Sequence, residues 1–493
     1  MSIRAATLAL CALIVLLPAP RTVLADTGAL TVVGSASLGD RGMNAALAIA
    51  SHCAWVGSRN DAPVQVVDIS DPTSPRRVGA LPGRSGSTPR EVRADPDAHV
   101  LVVLYYRLGS LGPNRLDIYR WGADCGAAAM VGGYDFGGAS PHEFFLWRDP
   151  ARAGRTLLYT TMFASASEAL EVIDISDPAV PRRLGGWVVP AGYGNAPLHS
   201  IALSADGGTA ILSLWTGGLV VADVSAFAAG SPAPVLRLLT PPGAAFRTAP
   251  GNVHSVVPLA SGSRVLTTDE RYPAPFGPGC PSGVAHVVDV QDPARPIALS
   301  TLSVPENAPA ACARDPRQTW SSHNATVLAD LAFITWYSAG VEVFSLDDPV
   351  TPLRVAELRP AGGHPAQRDL QLGTTDTLAW SYPVIDGGLV YVVDINQGLL
   401  VLRYTGPHSD EVAQVAFREG NSNVGVGPAT SPAASAPATT LPTASPSGRA
   451  PGPGSLPRAP GPGTLSEVLL LVVAIVLTAA AVGGTALARR RRG

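Results

Sequence analysis

From Ala29 to about Pro407 the apolar residues fall in short β-branched runs, each stopped by a cluster of Asp, Pro, Gly or Ser. That punctuation predicts strands joined by tight turns. One phrase recurs. Val66-Val67-Asp68-Ile69-Ser70-Asp71-Pro72 returns as Val172-Ile173-Asp174-Ile175-Ser176-Asp177-Pro178. It returns more loosely as Val287-Val288-Asp289-Val290-Gln291-Asp292-Pro293 and Val343-Phe344-Ser345-Leu346-Asp347-Asp348-Pro349. Degenerate copies lie at Leu219–Val224, Arg115–Trp121 and Gly398–Tyr404. Successive copies start roughly 50–65 residues apart, which suits a four-stranded propeller blade of about 40–50 residues with some long loops.

Two β-rich runs precede each phrase and a fourth follows it, as in Arg76-Arg77-Val78-Gly79-Ala80-Leu81. Asp-Pro with a second Pro soon after forces a turn between third and fourth strands, because Pro fixes φ and removes a donor. The same aspartates resemble calcium ligands at first sight. Nothing in the pattern supplies six oxygens at one point, so turn chemistry is the better account. Counting third strands gives seven blades. The seventh, Leu399–Tyr404, has no fourth strand after it, whereas Ala29–Ala36 is a strand without a blade. Docking the second beside the first closes the ring and hides two sheet edges. The expected fold is all-β, a seven-bladed β-propeller closed by an N-terminal strand.

The chain resembles the LVIVD-repeat family of secreted and surface proteins, named for the third-strand motif that Val66-Val67-Asp68-Ile69 copies. The resemblance runs from Ala29 to about Pro407 and extends beyond the repeat. It takes in Pro141-His142-Glu143-Phe144-Phe145-Leu146-Trp147, Ser322-His323-Asn324-Ala325-Thr326-Val327 with Trp336-Tyr337-Ser338, and Trp380-Ser381-Tyr382-Pro383. It implies a β-propeller and little about activity, since fold and function separate easily on such scaffolds.

The two ends change the picture from a bare propeller to an anchored one. Arg4, the apolar run Ala5–Leu17 and the small residues at Val23-Leu24-Ala25 read as a signal peptide over 1–25. The propeller is assigned to 26–417. A segment of Ala, Pro, Ser, Thr and Gly follows over 418–464, lacking the apolar surface to offset ordering, and is expected to be a disordered stalk. Within residues 465–488, Val468–Ala488 is one uncharged apolar stretch, followed by Arg489-Arg490-Arg491-Arg492. That pairing predicts a single C-terminal transmembrane helix with a cytoplasmic Arg tail over 489–493 and the propeller outside the cell. With 51 Gly, 46 Pro and only 15% charged residues, the body favours strands and turns over surface helices. The net charge is −3 and the body carries no long basic stretch, which excludes a nucleic-acid partner.

In a propeller the first strand of each blade lines the channel, running from a top face to a bottom face. Short hairpins such as Ser204–Gly208 and Asp386–Gly388 map to the bottom, while the long segments 270–283, 305–320 and 361–377 map to the top. Long ordered loops are usually functional, so the top is the expected working face. Cys11 leaves with the signal peptide. Of the three ways to pair the others, only Cys53–Cys125 on the bottom and Cys280–Cys312 on the top avoid crossing the disc.

Four histidines recur at the head of the channel-lining strand: His142, His199, His254 and His323, in blades three to six. Blades one, two and seven offer the regions of Asn44, Arg90-Glu91 and Trp380-Ser381 instead. Imidazoles from consecutive blades can approach one transition metal or zinc ion. Glu143, Asp269 and Glu270 map to the same mouth, and Trp215, Trp336 and Trp380 are candidate walls. The competing use of these histidines is structural, bonding strand ends across blades. Neither a phosphate-binding Gly loop nor a Ser-centred nucleophile elbow is present. The leading functional expectation is a surface-displayed binding module whose top face takes a small molecule, glycan or protein. The alternative is a metal-dependent enzyme, an oxidase or hydrolase, centred on the four histidines.

Overall fold

The repeated phrases form seven antiparallel sheets among the described residues, one for each copy. The computed structural model describes residues 29–425, except 110, 164–167, 195, 249, 250 and 362. Blades one to six span 44–80, 87–135, 141–187, 200–238, 253–302 and 325–358, each four strands in sequence order from the channel outward. Blade seven takes its three inner strands from 384–404 and its outer strand from Leu30–Ala36, with Leu30 opposite Tyr404 and Ala36 opposite Leu399. The ring is closed by the N-terminal strand, as its orphan sequence predicts.

Burial follows strand position. Second and third strands are covered on both faces by neighbouring blades, so Cys53–Ser58, Thr156–Met162 and Leu331–Trp336 are buried throughout. A two-sided environment selects continuous apolar runs over alternation. Outer strands such as Arg76–Ala80 stay largely exposed.

The repeated phrase shapes two recurrent contacts. Its first Asp accepts the main-chain N–H two residues on, as Asp68 does from Ser70 (2.9 Å) and Asp289 from Gln291 (2.8 Å). These are Asx turns, the aspartate role expected from the sequence. A β-bulge recurs between third and fourth strands, at Val66/Val67, Val172/Ile173, Val287/Val288 and Val343/Phe344. Each Asp-Pro turn then docks its proline carbonyl on the outer strand of the preceding blade. Thr240 donates to the Pro293 carbonyl (2.5 Å) and Ser300 to that of Pro349 (2.7 Å). Gly34 and Gly132 meet Pro72 and Pro178 so closely that a Cβ would stand 2.1 and 2.0 Å from the carbonyl oxygen. The motif thus ties blade to blade as well as strand to strand.

Both disulfides form as the strand map requires, Cys53–Cys125 with Cα atoms 5.4 Å apart and Cys280–Cys312 at 5.8 Å. The first joins blades one and two at the bottom. The second joins two top loops flanking blade five.

One boundary needs correction. The expected stalk at 418–464 begins inside the propeller, because 417–425 form a loop that dips into the channel from the bottom. Phe417–Arg418 pairs with the free edge of the inner strand of blade seven, Arg418 opposite Ile385. The chain turns at Gly420, where a Cβ would lie 2.0 Å from the Ala325 carbonyl oxygen. It returns beside blade three, with Leu146 N–H donating to Asn421 O and Asn423 N–H to Leu146 O, both 3.2 Å. Asn423 also brackets Arg148, accepting from its N–H (2.7 Å) and donating to its carbonyl (2.8 Å). Glu419, Asn421 and Val424 are buried. This polar stretch reads as linker in sequence, but its amides satisfy strand groups the channel would otherwise leave unpaired. No helix among the described residues is long and apolar enough to cross a membrane. The signal peptide, most of the stalk and the 465–488 anchor lie outside those residues.

Candidate metal centre at the channel mouth

The heads of several inner strands are bulged, and in blades two, three and five the bulge carries candidate side chains. Register slips by one residue between Pro141 and Phe144 and again between Val253 and Ser255. A bulge breaks the in–out alternation, so a side chain that would enter a blade interface can be re-aimed at the channel. His142 and Glu143 lie in the first bulge and His254 in the second. Blade two slips likewise between Pro89 and Glu91, where Arg90 sits.

The four histidines form a continuous ladder around half the mouth. Ring centroids lie 4.3 Å apart from His142 to His199, 4.1 Å from His199 to His254, and 4.3 Å from His254 to His323. His142 Nε2 lies 2.9 Å from His199 Nε2, so one nitrogen carries the proton and the other a lone pair. His323 Nδ1 lies 2.7 Å from the Trp380 carbonyl, which can only accept. Its proton is therefore on Nδ1, and Nε2 keeps a lone pair aimed at the site. This one bond is the interblade use that the structural account anticipates, and it leaves the inward nitrogen free. Burial pushes His254 down to about 4 and holds His142 and His323 well below the usual imidazole range, with neighbouring histidines adding to the effect. At neutral pH these rings are uncharged, the form in which an imidazole can ligate a metal.

Two carboxylates serve the ladder. Glu270 places Oε2 3.7 Å from His254 Nε2 and Oε1 3.7 Å from His323 Nε2, while the Tyr337 hydroxyl donates to Oε1. Glu143 Oε1 lies 3.4 Å from His199 Nδ1, and its Oε2 accepts from Tyr382 and from Asn421 of the C-terminal loop, both 3.3 Å. The loop is thus the floor of the site. Deeper in the channel, burial and the Glu143 charge outweigh Arg93 and push Glu91 up to about 8.

Aromatic rings wall the mouth. Trp215 stacks on His199 at 4.9 Å and 21°, Phe163 lies 4.8 Å from His142, and Trp380 lies 4.9 Å from His323. Two expected residues lie elsewhere. Asp269 turns to the outside of its strand, where Thr248 donates to it (2.9 Å) and His286 lies 3.4 Å away. Strand alternation sends neighbours Asp269 and Glu270 opposite ways. Trp336 is core between blades five and six, its indole donating to the Trp320 carbonyl (3.0 Å). The counterpart of Trp215 is Tyr337, one residue later. Both have positive φ (46° and 33°), and each stands three residues before a glycine with φ near 90°, Gly218 or Gly340. Counting back from those glycines in the sequence finds both residues.

Two stretches, 54–81 and 164–185, match the LVIVD repeat. The chain is a β-propeller that carries LVIVD repeats. No curated protein matches it. The solved structures similar to this LVIVD propeller include the Cps50 (Swd1) β-propeller domain of Myceliophteria thermophila, with 11% identity and a TM-score of 0.49. That match covers 76% of this chain and 100% of the other. A protein of Lactobacillus plantarum matches at 13% identity and TM-score 0.46, over 64% and 86% of the two chains. Sqt1 of Chaetomium thermophilum matches at 15% and 0.45, over 74% and 86%. Likenesses at this level carry no argument about the site.

The donor set of the LVIVD propeller fits a transition metal. His199, His254 and Glu270 each offer a ligand atom within 4.8 Å of the other two, and all three are buried. A separation of 3.7 Å is too long for a hydrogen bond, and donors about 2.0–2.2 Å from one ion lie about 3–4 Å from each other. His254 Nδ1 has no hydrogen-bond partner in this buried site. Neutral nitrogen and carboxylate donors suit zinc, copper or iron ahead of calcium.

Proposed function

We propose that this LVIVD propeller is a metal-dependent enzyme, an oxidase or hydrolase, with one transition-metal or zinc ion at the top mouth of the channel. His199, His254 and Glu270 are its core ligands, with His323 and His142 completing the half-ring. The observation that carries this reading is Glu270, whose two oxygens face the Nε2 atoms of His254 and His323 at 3.7 Å each. A core of three protein donors is the pattern of catalytic sites, as opposed to closed four-donor structural ones. A bound metal supplies Lewis-acid or redox chemistry there. The chain itself excludes water with Trp215, Phe163 and Trp380, and fixes Glu270 through Tyr337.

In the same proposal the propeller is extracellular, exported by residues 1–25 and held to the membrane by 465–488. The C-terminal loop leaves at the bottom face, so a stalk from Gly425 would turn the bottom toward the membrane and the mouth outward. Elemental analysis of the purified full chain tests the reading. About one zinc, copper or iron per chain, lost in His254→Ala while the circular dichroism is kept, is the expected result. A metal-free protein whose ligand binding ignores His199→Ala and His254→Ala would restore the binding-module account, for which the long top loops 270–283, 305–320 and 361–377 are the support.

A further inference from the structure

The other half of the mouth carries arginine where the first half carries histidine. Arg59 leaves blade one and Arg90 heads blade two. Their guanidinium carbons lie 5.6 and 5.9 Å from the Trp380 ring centroid, and Trp380 itself packs on His323. Arg59 is buried and bonds Asp369 through Nε (2.6 Å), but its Nη1 is enclosed without a partner. Arg90 is half-buried and makes no hydrogen bond or ion pair among the described residues. An enclosed donor without an acceptor is costly, and a guanidinium fork matches a carboxylate in two parallel bonds.

The charges at the mouth agree with the unfilled donors. Glu143, Glu270 and Asp369 bring three negative charges, and Arg59 and Arg90 bring two positive ones. A divalent ion on the histidine side, taken from the function proposed above, turns that sum of −1 into +1. One monoanion restores neutrality.

We propose that Arg90 and the free Nη1 edge of Arg59 form a carboxylate seat over Trp380, and that the substrate of this site is a small organic acid. Its carboxylate rests on the arginine side, and the rest of the molecule extends toward the histidine ladder across the Trp380 ring. The charge count rests on the metal reading. The unpaired Arg90 and the free Nη1 of Arg59 do not.

Calorimetric titration of the full chain with sodium acetate and sodium benzoate, with acetamide as the neutral isostere, tests the seat in metal-free and zinc-loaded protein. Acetate or benzoate is expected to bind and acetamide not. Arg90→Met is expected to weaken the acid by at least about tenfold, and Arg90→Lys by less, since it keeps the charge and loses the fork. Equal affinity for acetate and acetamide, no binding of either acid, or an unchanged constant in Arg90→Met overturns the seat. Arg90→Lys carries the test if Arg90→Met fails to fold. A chain that takes up no zinc yet binds acetate through Arg90 sinks the metal and keeps the seat. A chain that binds zinc while acetate ignores Arg90 does the reverse.

Discussion

Blades three to six and blades seven, one and two meet at the same mouth with opposite chemistry. The first group sends in His142, His199, His254 and His323 in unbroken contact, with Glu270 against two of them. The second sends in Trp380, Arg59 and Arg90, and Arg90 has no hydrogen-bond or ion-pair partner among the described residues. The backbone does not explain the difference, since bulges re-aim the strand head on both sides, at His254 and at Arg90 alike. The ring supplies a slot from each blade and aims it at a common point. What fills each slot divides the mouth into a ligand half and a cationic half.

The sharpest way to break that division is to ask which half would hold the proposed metal. His254→Ala and Glu270→Gln are expected to weaken it by at least about a hundredfold, in line with losing one of few ligands, while Arg90→Met leaves the metal content unchanged. Elemental analysis of the three variants decides. Metal loss in Arg90→Met would show that the halves act as one site. The two disulfides give the next largest contrast. Each closes a loop long enough to contribute roughly 2–4 kcal/mol. Cys280→Ala with Cys312→Ala frees top loops next to Glu270 and is expected to lower both the denaturant midpoint and metal affinity. Cys53→Ala with Cys125→Ala acts on the bottom of blades one and two and is expected to lower the midpoint alone.

The ring and its closure are legible in the sequence because the third-strand phrase repeats and because Ala29–Ala36 is an apolar run with no blade of its own. The histidine half is legible for the same reason, since duplication sets equivalent residues at equivalent strand heads. Trp336 fails as a wall because a one-residue offset separates it from the true counterpart of Trp215. That offset resides in backbone angles, and only the spacing to Gly340 betrays it. Asp269 fails because adjacent residues on a strand face opposite ways, and composition does not say which of Asp269 and Glu270 turns inward. The C-terminal loop leaves almost no trace, since Gly420-Asn421-Ser422-Asn423 has linker composition and acquires meaning only from the strand ends it meets. Arg59 falls outside the repeat slot and is found only in space.

That loop joins the two halves, pairing with blade seven on one side and blade three on the other. If the halves share this floor, weakening it should loosen the whole ring. Asn423→Ala removes one acceptor from Arg148 N–H and donors to two carbonyls, those of Arg148 and Ala205. It is expected to cost about 1–2 kcal/mol in urea unfolding. Val424→Ala, at a side chain 1% exposed, is expected to cost a similar amount, about 1–2 kcal/mol. A single cooperative transition shifted to lower urea supports a shared floor. An unshifted midpoint, or a tail that is cleaved while the ring stays intact, would make the loop a passive passenger.

The smallest effect separates the halves by pH. Asp386 ends the inner strand of blade seven with no ion pair among the described residues, and burial alone pushes its carboxyl up to about 6. The folded state therefore holds a proton that the unfolded chain has already released, in the window between the ordinary aspartate value of 3.8 and about 6. Stability from this group is full below that window, falls as pH rises through it, and is flat above. Asp386→Asn keeps the shape and removes the ionisation. It should match the parent near pH 4 and exceed it above pH 6 by about 1–2 kcal/mol, less than the full shift implies because the half-buried carboxyl retains some water. The difference between the two unfolding curves isolates this residue from every other titrating group. Parallel curves from pH 4 to pH 7 would mean that Asp386 is hydrated well enough to ionise in place, and that the cationic side of the ring owes no part of its acid stability to the foot of blade seven.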